Sequence, residues 1–224
     1  MSTLDLQADG LRTINSTLQF QTEQSDWTIT SPMGQHAIAC GLSTPINVTI
    51  DGHTGFYTAG MNQQANVTIN GHTGVGCAEN MMSGTVRVKG NASQAAGATA
   101  HGGLLVIEGD ASSRCGISMK GVDIVVGGSV GHMSAFMAQI GNLVVCGDAG
   151  EALGDSIYEA KLFVAGSVES LGADCIEKEM TPENLTILTD LLERAGMDKD
   201  PSEFKRYGSA RTLYNFDIDK ADEY

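Results

Sequence analysis

Val48-Thr-Ile-Asp-Gly52, Val67-Thr-Ile-Asn-Gly71, Val86-Arg-Val-Lys-Gly90, Leu105-Val-Ile-Glu-Gly109, Ile124-Val-Val-Gly-Gly128, Leu143-Val-Val-Cys-Gly147 and Leu162-Phe-Val-Ala-Gly166 are seven copies of one unit, set out at a constant period of 19. No insertion or deletion separates their starting points. Spacing this strict marks one structural rung stacked on the next. Positions one and three of each unit are Val, Ile or Leu, the period-two signature of a strand with one buried face.

After each fixed glycine comes a small residue three positions later (Gly55, Gly74, Ser93, Ser112, Gly131, Gly150). Another follows four positions beyond that (Ala59, Ala78, Gly97, Gly116, Ala135, Gly154). The seventh copy decays to Gly166, Glu169, Ala173. Glycine just past a strand can take a positive φ and turn the chain. Gly52, Gly71, Gly90, Gly109, Gly128, Gly147 and Gly166 are therefore expected to be corners. Short strands joined by regular corners make a parallel β-helix whose rungs lie about 4.8 Å apart. Residues 48–173 hold 23 of the 28 glycines and none of the four prolines, as strands paired on both sides require. The rival left-handed β-helix uses six-residue units and a period near 18. No six-residue subperiod is visible here, which favours the right-handed form.

The flanks differ in texture. Leu11, Ile14 and Leu18 predict a short amphipathic helix over 9–20. Trp27 to Ile29 reads as a strand start, and His36 to Leu42 as the beginning of an irregular first rung. Thr181-Pro182-Glu183 is a helix start, with Thr as N-cap, Pro at the first helical position and an acid in the first turn. Leu185, Leu188, Leu192 and Ala195 form its apolar face and Gly196 ends it. This helix is expected to cap the open end of the rod, where unpaired strand groups invite aggregation. The division expected is 1–47 for an N-terminal helix and irregular rung, 48–173 for the repeats, and 174–224 for a C-terminal capping helix and arm. The fold class is all-β: a right-handed parallel β-helix of about seven rungs with short capping helices at both ends.

A formal net charge of −14 disfavours nucleic acid and anionic membrane surfaces as partners. No long apolar run suggests a transmembrane helix. No basic stretch followed by an apolar run opens the sequence, so a cytoplasmic location is expected. The five cysteines (40, 77, 115, 146, 175) are odd in number and lack a CxxC. Cys77 and Cys115 fall two rungs apart, about 10 Å and too far for a disulfide, so reduced buried thiols are expected.

Chemistry-bearing residues are sparse. His53 and His72 share one place on adjacent rungs, the sole metal-ligand candidate. No third ligand repeats beside them except Asp110, three rungs from His53, and the competing reading is a polar ladder at an exposed corner. No catalytic, cofactor-binding or metal residue is assigned. Glycines that recur once in every rung are not the strand–glycine–helix cradle of a nucleotide site. Gly60-Met-Asn-Gln-Gln-Ala65 and Ala78-Glu-Asn-Met-Met-Ser-Gly84 put Asn62, Gln63, Gln64, Glu79 and Asn80 beside Met61, Met81 and Met82. They read either as amide stacking between rungs or as a methionine-bearing docking face. In the C-terminal segment, Phe204, Tyr207, Tyr214 and Phe216 interleave with Lys205, Arg206 and Arg211. Aromatic and arginine side chains anchor interfaces, so Phe204, Arg206, Tyr207, Arg211, Tyr214 and Phe216 are expected to dock a partner. The alternative is that the segment folds back on its own rod.

The unbroken Gly147-Asp-Ala-Gly150-Glu-Ala-Leu-Gly154 resembles the C-terminal β-helix of glutamate synthase large subunits and the C subunit of formylmethanofuran dehydrogenase. Met82-Ser-Gly-Thr-Val-Arg-Val88 is similar to a signature of the glutamate synthase version. The stretches GQHAIACGL, AENMMSGTVRVKGNASQAAGATAHGG, GDAGEALGDSIYEA and FKRYGSARTLYNF resemble the stand-alone β-helix subunit family of N-methylglutamate synthases. That resemblance implies a non-catalytic subunit. Its expected partners are a glutamine amidotransferase-like chain and an FMN- and iron–sulfur-binding chain that carries the cofactors. The implied reaction is methylamine plus L-glutamate giving N-methyl-L-glutamate plus ammonia. Two alternatives stand beside it: the β-helix subunit of an ordinary split glutamate synthase, and a stand-alone β-helix enzyme with its own metal or sugar site.

Overall fold

The computed structural model describes residues 2–23 and 25–211. Its strands join in one sheet of eleven. β1 (Ser2–Asp5) lies parallel to β2 (Asp26–Thr30), and β3 (Asn47–Ile50) follows. β4 (Asn66–Ile69), β5 (Thr85–Val88), β6 (Leu104–Ile107), β7 (Lys120–Val126), β8 (Ile140–Val145) and β9 (Lys161–Val164) continue the stack, each parallel to its neighbour. The result is a β-solenoid of about seven turns. Its register is the sequence period: Val48 pairs with Val67, Val67 with Val86, and Val86 with Leu105. Where the repeat breaks, so does the register. Ile29 pairs with Ile50, a wider step than the repeat, and a bulge between Lys120 and Asp123 shifts β7 against β8. A second, shorter column of bridges runs Thr73, Ala92, Ala111, Val130, Ala149, Val168. A separate bridge, Leu153 to Leu171, takes a step one residue shorter, where the seventh copy decays.

The inner residues of each strand fill one continuous core. At its N-terminal end Ile14 and Leu18 of helix α2 (Leu11–Gln19), which follows the short α1 (Leu6–Asp9), are fully buried in it. Asn15 fastens α2 to the first rung by donating to the Ala37 carbonyl and accepting from the Ala39 N–H. The sheet runs through both boundaries drawn at 47 and 173, since β1 and β2 precede the first and the two C-terminal strands follow the second.

Three expectations are corrected. Of the seven fixed glycines only Gly52 has a left-handed φ, 137°. The others are needed for close approach. Gly90, Gly109, Gly128, Gly147 and Gly166 each donate the N–H to the glycine carbonyl one rung below, as in Gly90 to Gly71 at 3.1 Å. A Cβ on Gly71 would lie 2.6 Å from the Gly52 carbonyl carbon and oxygen. The left-handed residues sit further along the rung, at alternate positions: Tyr57, Ala59, Met61, then Gly76, Ala78, Asn80, then Ala95, Gly97, Thr99, with φ from 52° to 72°. Alternating handedness points successive N–H groups at opposite neighbours. Tyr57 and Met61 donate to Val75 and Glu79 on the next rung, while Ala78 donates back to Thr58. Each non-glycine residue held this way costs about 1–2 kcal/mol, which stacking with its hydrogen bonds offsets.

Helix α3 (Pro182–Ala195) has the caps its sequence announces: Thr181 accepts from the Asn184 N–H, and Gly196 is left-handed at φ 68°. It does not cover the open end of the rod. Leu188, Leu191, Leu192 and Ala195 pack on the outer flank of the sheet, against Val106, Val125, Val144 and Phe163. The C-terminal end is instead closed by strands. β10 (Cys175–Lys178) pairs antiparallel with β11 (Lys205–Ser209), and β11 inserts between β10 and β9.

The last correction follows from that insertion. Phe204 is buried against α3 and Tyr207 in the main core, so neither offers a docking side chain. Arg206 is half-buried and donates to the Glu179 carbonyl; Arg211 pairs with Asp174 at 2.6 Å. Folding back satisfies the strand edge of β9, which an outward-facing arm would leave open. Tyr214 and Phe216 lie outside the described residues.

Candidate functional site

The residue after each fixed glycine forms a column of its own: His53, His72, Asn91, Asp110, Ser129, Asp148, Ser167. Each side chain from His53 to Asp148 accepts the backbone N–H of the next member. His53 Nδ1 takes the N–H of His72 at 3.0 Å and His72 Nδ1 that of Asn91 at 2.8 Å. Asn91, Asp110, Ser129 and Asp148 repeat the contact up the rod. The two imidazoles stack at 4.9 Å with planes 9° apart. One nitrogen of each histidine is thus already committed to the backbone. Asp110 is in the same column but separated from His72 by Asn91. The backbone N–H and hydroxyl of Ser167 hold the Asp148 carboxyl below the ordinary carboxylate range. The column also explains why glycine precedes it: a Cβ at Gly109 or Gly128 would strike the acceptor oxygen of Asn91 or Asp110.

The cysteines are free thiols. Burial pushes Cys77 and Cys115 up to about 12 and Cys175 to about 11, and raises Cys40 and Cys146 as well. Thiols so shifted carry little thiolate near neutral pH, which makes them poor nucleophiles. Among the described residues no group of three His, Cys, Asp or Glu side chains is placed to hold a metal ion, and no helix is long and apolar enough to cross a membrane. An open cleft of about 390 Å³ lies where α3 meets the bulge, lined by Gly121, Ile140, Asn142, Glu159, Lys161 and Ile187.

The amide- and methionine-rich stretch divides by position. Asn62 and Met81 are fully buried. The Asn62 amide donates to the carbonyls of Ala65 and Ser83, tying its turn to the rung above. Gln63, Gln64, Asn80, Met61 and Met82 face outward. Asn80 accepts from the Thr99 hydroxyl one rung on, a hydroxyl–amide contact and not a stack of amides. The outward members join the left-handed segments into a flank distinct from the sheet.

No family model matches the chain. Protein GlxC of Rhizobium meliloti (strain 1021) is 59% identical to it over 228 residues, covering all of both chains. The chain belongs to the GlxC family. Two features lie outside the expectations drawn from sequence. The middle residue of each strand unit turns from polar to apolar at Val106, the signal that a helix lies over the second half of the sheet. The left-handed positions at Tyr57 and Met61 carry no signal in residue type.

Proposed function

We propose that this GlxC-family chain is a non-catalytic β-solenoid subunit of a glutamate synthase-like enzyme, of the N-methylglutamate synthase type. In that reading an amidotransferase-like chain and an FMN- and iron–sulfur-binding chain supply the chemistry and the cofactors. The solenoid holds them in register while methylamine and L-glutamate give N-methyl-L-glutamate and ammonia. The observation that carries the reading is the columnar use of polar side chains. The six side chains from His53 to Asp148 are spent on backbone N–H groups, and the pairs Asn47–Asn66 and Asp51–Asn70 bond to one another. These polar groups build length and rigidity. The motif resemblance names the enzyme class.

Co-expression with an amidotransferase-like and a flavin-binding synthase-like chain tests this. One complex containing all three on size exclusion is expected. If the solenoid elutes alone while the other two associate, the scaffold role is wrong. The ordinary split glutamate synthase remains the second reading, because the Met82–Val88 stretch resembles that version. It predicts glutamate formation from 2-oxoglutarate, glutamine and a two-electron reductant in place of methylamine turnover.

A further inference from the structure

The cations at the C-terminal end of the rod are not paired off as the polar columns are. Where β10 runs antiparallel to β11, Lys178 lies directly opposite Arg206. Like charges facing each other across two strands are destabilising. The chain carries 27 acidic residues against 13 Lys and Arg, yet two cations meet here. Among the described residues the ion pairs at this end are Lys161–Glu183, Lys205–Glu177 and Arg211–Asp174. Lys178 and Arg206 stand outside them. Arg206 spends Nη1 on the Glu179 carbonyl at 3.2 Å, and its Nε is buried with no acceptor among the described residues. Burial lowers the Arg206 pKa more than the charge of Glu183, itself shared with Lys161, raises it. A desolvated cationic donor without an acceptor is costly, and an anion would relieve it.

The backbone leaves room for that anion. Tyr207 points into the core, so its strand neighbours Arg206 and Gly208 face away from it. Phe204, just before the strand, is buried against α3, while Arg206 is half-buried and Gly208 has no side chain. A Cβ on Gly208 would meet only ordinary contacts, Lys178 Cγ at 3.7 Å and Arg206 Nη2 at 4.0 Å, so both cations border this space. A cleft of about 230 Å³ opens there, lined by Tyr158, Glu159, Lys178, Arg206, Gly208 and Arg211. That is below the volume of a drug-sized site and suits a small ligand. Charge sets the class of ligand. Arg211 is neutralised by Asp174, and two cations less the Glu159 carboxylate leave one positive charge. A single carboxylate balances it, whereas Glu159 would repel a phosphate dianion more strongly.

We infer that this cleft binds a small organic monocarboxylate between Lys178 and Arg206. The site is independent of the scaffold reading, since neither residue belongs to a rung column. The test is a titration of the full chain with propionate, followed by the amide NMR shifts of Lys178, Gly208 and Ser209. Wild type should show saturable shifts at these amides, with affinity falling as salt rises. Lys178→Gln should bind about 10-fold more weakly, the loss of one charge-assisted hydrogen bond. Lys205→Gln, next to Arg206 in β11, should bind as wild type does. Lys178→Glu should lose binding and also melt higher, because it turns two opposed cations into an ion pair. Absence of saturable shifts in wild type, or undiminished binding by Lys178→Gln, overturns the inference. Inorganic phosphate binding more tightly than propionate overturns it too. A combined Asp217→Asn, Asp219→Asn, Asp222→Asn and Glu223→Gln variant tests the other source of carboxylate. Binding equal to wild type is expected; a gain of about 10-fold or more would show that the chain's own C-terminal acids compete for the cleft, which also overturns the inference.

Discussion

The outer flank of the sheet comes in two halves that share one strand geometry and one core yet face different surroundings. In β3 to β5 the outward residues are Thr49, Thr68 and Arg87, all partly exposed. In β6 to β9 they are Val106, Val125, Val144 and Phe163, all buried beneath α3. Arg87 stands on the border. It pairs with Glu108 at 3.0 Å and donates to the carbonyl of Ala195 at the end of α3. The inner face alone is enough to stack rungs, and one residue per rung decides whether the outside stays bare or receives a helix.

A charge placed on each half should separate them most. Val125→Asp buries an unpaired carboxylate under α3 and is expected to cost more than about 3 kcal/mol, or to abolish folding. Thr68→Asp on the bare half should stay within about 0.5 kcal/mol. Urea unfolding of both variants gives the difference, and equal losses would remove the distinction between the halves.

The glycine column should ignore the division. Gly71→Ala and Gly147→Ala each place a Cβ within 2.8 Å of backbone on the rung below. Both should destabilise by about 1–3 kcal/mol, since a backbone contact cannot rotate away. A large cost in one half only would show that tolerance depends on the helix. At the border, Arg87→Ala should cost about 1 kcal/mol through the lost bond to Ala195 and the partly exposed ion pair. Amide exchange at the C-terminal turn of α3 should rise with it.

The smallest effect is acid-dependent. Burial pushes the Glu108 carboxyl up, but hydrogen bonds and charge from Lys89 and Arg87 more than offset it and hold it below the ordinary range. A carboxyl lowered by folding contributes stability above its unfolded value, and loses it as pH falls through the folded one. Between about pH 5 and 3, Glu108→Gln should flatten the stability profile by less than about 1 kcal/mol, because the partners are partly solvated. Unchanged acid sensitivity in that variant would place the titrating group elsewhere.

Much of this structure is readable from its residues. The strand units fix rung spacing and inner face, and Thr181, Pro182 and Gly196 fix α3 to its ends. What local pattern leaves open is where an element docks. The amphipathic face of α3 says that it packs, while its target is named only by Val106, Val125, Val144 and Phe163, one residue from each of four separate strands. Left-handed Ala59, Met61 and Ala78 are invisible for another reason: no propensity favours them, and contacts from neighbouring rungs impose them. In the methionine-rich stretch exposure is not legible from residue type, since Met81 and Met82 are adjacent and alike but only Met82 faces out.

The central claim is that the solenoid organises an activity whose chemistry resides on other chains. Its most direct measurement is N-methylglutamate formation from methylamine and L-glutamate by the purified chain alone, by the two partner chains together, and by all three. Turnover is expected only from the three-chain mixture. Turnover by the solenoid alone, or full turnover by the other two without it, would contradict the claim.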